Sequence, residues 1–577
     1  MNLWQRFTQS LGALPASRVT WGLALAFCLW AVLDLFVLKV SGGLANSTYD
    51  AMVRARFYTA APDPRVVIID IDEASLAQMA PEFGRWPWPR DTLATVLGYV
   101  EKQNPQAIAW DVVFSDADRL SPGGDKAFDE AAKGSTRSHF SVVRLPAVYD
   151  VQSKVTRAVL PSLWATAATA LPVSTATLST VALIPPVLPF VAAGKLGYNN
   201  GYPDADGVLR RYRLLETLDD GSQIQSLAWS VAQSINHSDT INLIASKSIN
   251  TGTTRLFDAK NADPLMIWRA KANSYPRVPF AQVFSAAEGG KTAQPLPSFA
   301  GKIVLIGSTA SSLHDIHPTP LGAQHAGVDS LATAIDNAVN QRSLAELPRW
   351  LLAALAMALC VGMAWWVQQS GISSLDAALL LLPGALLGIS YVSLNISPVF
   401  IDLHLAAGIA LLFIALLRLW NGWRRNYWCN PAWVDGASDT ALGVMALQLE
   451  RPAADVGLDA LIRSLEQQAP HCRVLGGDAT ATWPAQLRWP ELLHTVAVAG
   501  PLQQLVQLRA TVLAPTAPTA PTSPAPKANK VARKITRLAQ LGCQACTEPT
   551  TVPARTGRSD WAERARTACA QLAKPAE

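Results

Sequence analysis

The chain has 577 residues, half of them hydrophobic and only 16% charged, with a formal net charge of +5. Ordinary soluble proteins carry about 25% charged residues, so the shortfall excludes intrinsic disorder as the main state and argues against a purely water-soluble protein. A mean hydropathy of +0.17 excludes the opposite extreme, a chain made almost entirely of membrane spans.

In chain order, residues 1–19 form a short N-terminal segment, and 20–40 form the first expected span. Thr20 to Val40 contains one acid, Asp34, and is long enough as a helix to cross a ~30 Å hydrocarbon core. Its length and its Leu, Phe and Trp content argue for an uncleaved anchor rather than a signal peptide. An outer domain follows over 41–348. Arg65 to Asp72 is a buried strand ending in acids, Glu73 starts a helix, and Asp91–Gln103 is amphipathic with Leu93, Val96, Leu97 and Val100 on one face. Ala107–Phe114 is a second strand, so the order β-α-β suggests parallel pairing and an α/β core. The apolar run Ala158–Ala193 is not a span, because Pro161, Pro172, Pro185, Pro186 and Pro189 interrupt helical hydrogen bonding; it reads as buried strands and turns. A strand is expected over Val208–Leu215, another over Gly301–Ser308, and a closing helix over Gly327–Asn340.

Three further spans are expected at 350–367, 375–394 and 399–417, joined by breaks too short to hold domains. Four spans put both termini on one side. Arg6 and Arg18 before the first, and Arg418, Arg424 and Arg425 after the last, make that side the cytoplasm. From Trp420 onward there are 17 basic and 12 acidic residues, so the tail carries the whole excess of +5. The outer segment has no cysteine, whereas the tail holds Cys429, Cys472, Cys543, Cys546 and Cys569, in keeping with a reducing cytosol. Asp34, costly in lipid, should face a partner helix or water, with Asp402 and His404 as candidate partners, unless it lies near the interface. Trp365, Trp366, Trp420, Trp423 and Trp428 read as interfacial anchors.

The tail reads as a small α/β domain over 420–513, with strands at Leu442–Leu449 and Cys472–Asp478, a helix at Ala453–Gln468, and more strand and helix over Glu491–Leu513. Residues 514–577 are a Pro/Ala/Thr-rich linker and a basic tail, which is a solvated face first and a lipid-surface or nucleic-acid contact second. Cys543-Gln544-Ala545-Cys546 is a lone CxxC without the further ligands a zinc site needs.

Several motifs in the outer domain carry a family resemblance. Tyr49-Asp50 with Arg54 and Arg56-Phe57, the strand holding Asp70 and Asp72, Trp86-Pro87-Trp88-Pro89-Arg90, and Asp111 resemble the opening blocks of the type-2 CHASE domain. Gly197-Tyr198 and Asp204-Ala205-Asp206-Gly207-Val208-Leu209-Arg210-Arg211 resemble its central motif. Gly301–Gly307, His317–Gly322 and Thr333-Ala334-Ile335-Asp336-Asn337 resemble its C-terminal signature. The resemblance covers roughly 41–420 and implies an extracellular sensory module followed by three helical spans. The implied fold class is an α/β extracytoplasmic sensor domain with four transmembrane α-helices and a small α/β cytoplasmic region.

The candidate sensor pocket comprises Asp70, Asp72, Trp86, Trp88, Arg90, Asp111, Asp206, Arg210 and Arg211. Acids at strand ends can face a ligand crevice; the competing reading makes them helix caps and ion-pair partners. The Trp-Pro-Trp-Pro segment suits a lid over a pocket, but a packed plug over a sheet edge is the better reading. Asp204-x-Asp206-Gly207 looks like the start of a calcium loop, but Val208 and the missing glutamate make a tight turn the better reading. His314 and His317 would share a metal only on a helix, which Pro318 and Pro320 oppose.

In relatives the inner region is a cyclase or a kinase. Here Gly476-Gly477-Asp478 resembles the turn of a nucleotide or diguanylate cyclase palm domain, with Asp478 as one metal-binding acid. The first strand offers only Gln448 or Glu450 for the second. The expected function is therefore a bacterial inner-membrane sensor with a non-catalytic cytoplasmic region and no cofactor. A divergent cyclase using Asp478 and an envelope scaffold are the alternatives. The expected partners are an unidentified periplasmic ligand or protein, membrane lipid, a second copy of the chain in a homodimer, and a cytoplasmic signalling partner.

Overall fold

The computed structural model describes residues 3–59, 61–119, 121, 123–165, 180–236, 263–269, 274–370, 376–429, 442–449, 455–477, 495–513, 543–552 and 558–573. The chain divides into two compact units, one formed by Val40–Leu352 with Gly388–Leu403, the other by Met1–Lys39, Ala353–Leu387 and His404–Glu577.

Among the described residues, the first unit is built on a seven-stranded sheet. Its strands are β1 (Val66–Ile71), β2 (Ala107–Val113), β3 (Ser138–Arg144), β4 (Leu183–Ile184), β5 (Lys195–Tyr198), β6 (Arg277–Pro279) and β7 (Ile303–Ser308). Their order is β4-β3-β2-β7-β1-β6, with β5 also on β3, and every pairing except β3 with β4 is parallel. All six side chains of β1 are buried, as expected of a parallel strand covered on both faces. β1 and β2 do not pair with each other: β7, nearly two hundred residues later, lies between them.

Helices α1 (Glu73–Phe83), α2 (Arg90–Glu101), α3 (Gly124–Gly134), α4 (Leu227–Asn236), α5 (Phe280–Ala287) and α6 (Gly327–Val339) flank the sheet. Leu93, Val96, Leu97 and Val100 are all buried on α2, so the amphipathic pattern read from sequence is the packed face. Trp110, Phe114, Phe128 and Phe140 form an aromatic cluster with ring centroids 4.6–6.5 Å apart.

One expected element differs. Val208–Leu215 is not a strand, and only Leu215–Thr217 joins a ladder, paired with Gln223–Gln225. The segment's backbone bonds are spread instead: Leu209 N–H donates to Pro318 O at 2.8 Å, and Arg210 O accepts from Met266 N–H at 3.0 Å. Every backbone group needs a partner, but not all from one neighbour. After α6 come the short parallel pair Ala345–Glu346 with Val399–Phe400 and, between α6 and β7, the hairpin β8 (Ile316–Thr319) and β9 (Gly322–Ala326). Of the run Ala158–Ala193, residues 166–179 lie outside the described residues; the rest holds β4 and a short helix Pro189–Ala193 rather than a span.

Three helices among the described residues are long and apolar enough to cross a membrane: Ala16–Leu38, Arg349–Gln369 and His404–Trp428. The expected span at 375–394 is helical over Asp376–Ile396, but its apolar part is the shorter Leu381–Ile396. The span expected at 399–417 starts later, because Pro398 and the pairing of Val399–Phe400 hold the chain extended. It also runs on to Trp428, since no helix breaker intervenes. Asp34 is buried and opens a π-helical turn, Asp34–Leu38, at the end of the first span rather than its middle.

Trp420 and Trp428 are buried, not surface anchors. Trp420 Nε1–H donates to Leu11 O at 2.8 Å, and Trp428 packs with Met445, Leu461 and Val474 in the tail's own core. That tail is a sheet of β10 (Leu442–Leu449), β11 (Arg473–Gly477), β12 (Thr495–Pro501), β13 (Cys543–Cys546) and β14 (Thr550–Val552), ordered β11-β12-β10-β13 with β14 also on β10. All its pairings are antiparallel. With α7 (Asp455–Gln468) and α8 (Leu502–Leu513) between strands, the chain order is β-α-β-β-α-β, the split βαβ arrangement. The tail domain therefore does not end at Leu513: β13, β14 and α9 (Arg558–Ala573) belong to it, with Trp561, Ala565 and Cys569 in its core. Asp478, Glu450 and the linker 514–541 lie outside the described residues.

Candidate functional site

Three neighbouring parallel strands, β1, β7 and β2, finish side by side at the same edge of the sheet. The register sets Asp70 beside Gly307 on one side, and Asp111, one residue beyond the pair Trp110–Ile306, beside it on the other. Gly307 is needed there: an added Cβ would lie 2.7 Å from Val328 and 3.0 Å from Asp111. Beyond the strand ends, Trp86-Pro87, the β8 hairpin and the first turn of α6 enclose a cavity of about 410 Å³. That volume is within the range of small-molecule sites, and carboxyl ends of parallel strands are where open α/β sheets bind ligands.

Asp111 is the acid at the heart of this cavity. Asn199 Nδ2–H donates to its Oδ1 at 2.8 Å. The carboxyl is reachable from the cavity but enclosed by protein, and burial, reinforced by the Asp315 carboxylate, pushes it up to about 7 against the opposing pull of Asn199 and His317.

Asp315 is better compensated. His317 Nε2 lies 3.3 Å from its Oδ1, and that hydrogen bond raises the imidazole above its ordinary range. Its carboxylate also rests on the first residue of α6, where a Cβ on Gly327 would stand 2.2 Å from Oδ2. A helix N-terminus favours a negative charge. Gly327 N–H closes the contact by donating to Asp315 O at 2.9 Å.

Tyr212 and Ser330 also line the cavity, with their hydroxyl oxygens closed off behind its surface. Both residues are 3% exposed, and neither hydroxyl has a hydrogen-bond partner among the described residues. Ser308 Oγ is already engaged, donating to Ile71 O at 2.8 Å and accepting from Ala310 N–H at 3.0 Å.

Of the nine residues read from sequence as the pocket, the structure brings Asp111 and Trp86 to the cavity wall. Asp70 accepts from Thr309 N–H and Oγ1–H at 3.0 and 2.7 Å and from Arg277 at 3.3 Å, so its oxygens are occupied. Asp72 caps α1, accepting from Ser75 N–H at 2.7 Å. Trp88 is a packing residue, tilted on Phe280 with centroids 5.0 Å apart. Arg90 pairs with Asp125 and lies over the Phe114 ring.

Asp206 and Arg210 belong to a separate network. The Arg210 guanidinium, 3% exposed, meets Asp50 at 2.7 Å and both Asp204 and Asp206 at 2.8 Å. Arg211 pairs with Glu346. The Asp204–Val208 segment is a tight turn, with Gly207 N–H donating to Asp204 O at 2.8 Å and Gly207 at φ +81°. His314 does not line the cavity, and among the described residues no group of three or more His, Cys, Asp or Glu side chains is placed to hold a metal.

Sequence reasoning missed Asn199, Tyr212, Asp315 and Ser330. Asn199 directly follows the Gly197-Tyr198 motif at the end of β5, and Asp315 stands within the His314–His317 run; both positions were visible, but not their convergence.

Neither the curated proteins nor the solved structures contain a match to the chain. Comparison with protein-family models matches the CHASE2 domain over residues 24–366. More than half of the chain lies inside that match, which spans the sheet and the cavity and takes in most of two of the apolar helices. CHASE2 domains are extracellular sensor domains of signalling proteins. The chain belongs to the CHASE2 family.

Proposed function

We propose that the chain is a bacterial inner-membrane sensor, multi-pass, whose CHASE2 domain lies outside the cytoplasm and takes a small molecule into the cavity at its strand ends. The observation that carries this is the cavity itself: about 410 Å³, walled by three strand ends and a helix N-terminus, in a domain of a sensory family. Bound ligand acts by favouring one of two arrangements of the domain and its helices. The orientation rests on the arginines that flank the helices and on the absence of cysteine from 41–348.

The tail completes the reading as a non-catalytic output that works by contact with a cytoplasmic partner. Its split βαβ sheet suits a palm, but β10, Leu442–Leu449, carries no acid to hold a metal; Asp478 and Glu450 lie outside the described residues.

The test is a thermal-shift screen of the full chain in detergent against a small-molecule library, since a ligand of the folded state raises the melting temperature. Gly201 lines the cavity, and an added Cβ there meets only Leu209, at 3.4 Å. Gly201→Leu should therefore fill the cavity without unfolding the domain. A hit whose shift disappears in Gly201→Leu supports the proposal; hits that are indifferent to it, or a library with none, overturn it.

A further inference from the structure

We propose that this cavity binds a small organic amine, as its ammonium form, with the nitrogen seated on Asp111. The inference rests on the reading of the cavity as the ligand site and adds the chemistry of the ligand.

The charge of the wall carries the argument. Asp111, Asp315 and His317 line the cavity, and among the described residues no lysine or arginine does. Of the two acids, Asp315 already has its counter-charges, His317 at 3.3 Å and the first turn of α6. Among the described residues Asp111 has one direct partner, Asn199, which occupies one of its two oxygens, while His317, hydrogen-bonded to Asp315, acts on it only from a distance. A buried carboxylate without a cation is costly, and a ligand that brings one is repaid with a charge-assisted hydrogen bond. The groups facing Asp111 are Asp315 and His317 from the β8 hairpin, Asn199 after β5, Tyr212 from the 208–214 segment, and from α6 only the Ser330 hydroxyl. Nothing among them supplies a permanent positive charge.

Two further features point the same way. Trp86 and Tyr212 give the cavity aromatic walls, which attract organic cations through the ring quadrupole. Tyr212 Oη and Ser330 Oγ, closed off in the wall and without partners among the described residues, would gain partners from a hydroxyl-bearing amine once a side-chain rotation opens them to the cavity. Anions are disfavoured, because a carboxylate or phosphate would meet two acids and no cation.

The test uses the full chain in lipid nanodiscs, with ethanolamine, putrescine and glucosamine as probes, each against its neutral counterpart: ethylene glycol, 1,4-butanediol and glucose. Calorimetry should show at least one amine binding where its neutral counterpart does not. Asp111→Asn, which keeps the shape and the Asn199 contact, should melt as the parent does and weaken the amine by about tenfold or more. Binding should tighten between pH 6 and pH 8 in the parent and lose that dependence in Asp111→Asn, because the seat must be ionised. An amine that binds equally well to Asp111→Asn overturns the proposal, as does a panel in which no amine binds. If neutral compounds bind and Gly201→Leu abolishes them while amines do not bind, the amine chemistry fails and the cavity remains the ligand site. If no compound of any class binds, both readings fall.

Discussion

Arg210 is a point where a single substitution should cost the fold heavily. Its guanidinium makes five hydrogen bonds of 2.7–2.8 Å to Asp50, Asp204 and Asp206, joining helix Gly42–Arg54 to a turn 160 residues later. Arg210→Met preserves much of the volume and removes the cation. Asp204 and Asp206 keep 25% and 35% of their side chains exposed and can rehydrate, whereas Asp50 keeps only 12%. The cost is therefore set by Asp50 and falls at the lower end of the ~3–5 kcal/mol for stranding a buried charge. At ~2–4 °C per kcal/mol for a domain of this size, about 3 kcal/mol lowers the melting temperature by roughly 6–12 °C. Tryptophan fluorescence of the full chain in detergent would measure it. Asp50→Asn should cost more than Asp206→Asn. The pH dependence has a definite sign. The hydrogen bond from Arg210 holds Asp206 at about 2 against an ordinary 3.8, so its contribution is complete above pH 3.8 and lost as pH falls towards 2. The gap between parent and Arg210→Met should narrow over that window. A variant melting within about 1 °C of the parent, or an Asp206→Asn as damaging as Asp50→Asn, would refute the assignment.

Gly327→Ala should displace the Asp315 carboxylate, 2.2 Å from the new Cβ, at a cost of about 1–3 kcal/mol. The His317 imidazole, held above 6.5 chiefly by that carboxylate, should then titrate lower. The pair stabilises the fold below pH 6.5, and the benefit fades as pH rises through the imidazole's raised value. NMR titration of His317 checks this, and an unmoved titration would sink it. For topology, Ser298→Cys on the sensor domain and Glu548→Cys on the tail place thiols at exposed positions. An impermeant maleimide should label the first in intact cells and the second only after lysis; labelling of the second from outside reverses the proposed orientation.

How much of this was legible in the sequence depends on the range of the interaction concerned. Local hydrophobic pattern places β1, α2, β2 and α6 to within two residues, because burial on one face or two leaves a period that needs no knowledge of the partner. Asp72 as an N-cap and Gly207 as a turn are equally local. Pattern misjudged 208–214, whose backbone bonds go to several distant segments, and Trp428, whose aromatic side chain suits a membrane interface as well as a core. It also ended the tail domain too early, since β13 and β14 are short strands that gain meaning only as edges paired to β10.

The sequence by itself determined the division of a low-charge, apolar chain into membrane helices and two α/β domains, and through several separated motifs it determined the family. Only the tertiary structure decided which acids face a cavity. Asp70 and Asp111 are alike in sequence, each near the end of a buried strand. They are separated in fate by β7, which enters between their strands and sets Thr309 over one and open space over the other. That insertion is a contact across more than two hundred residues, and no local periodicity records it.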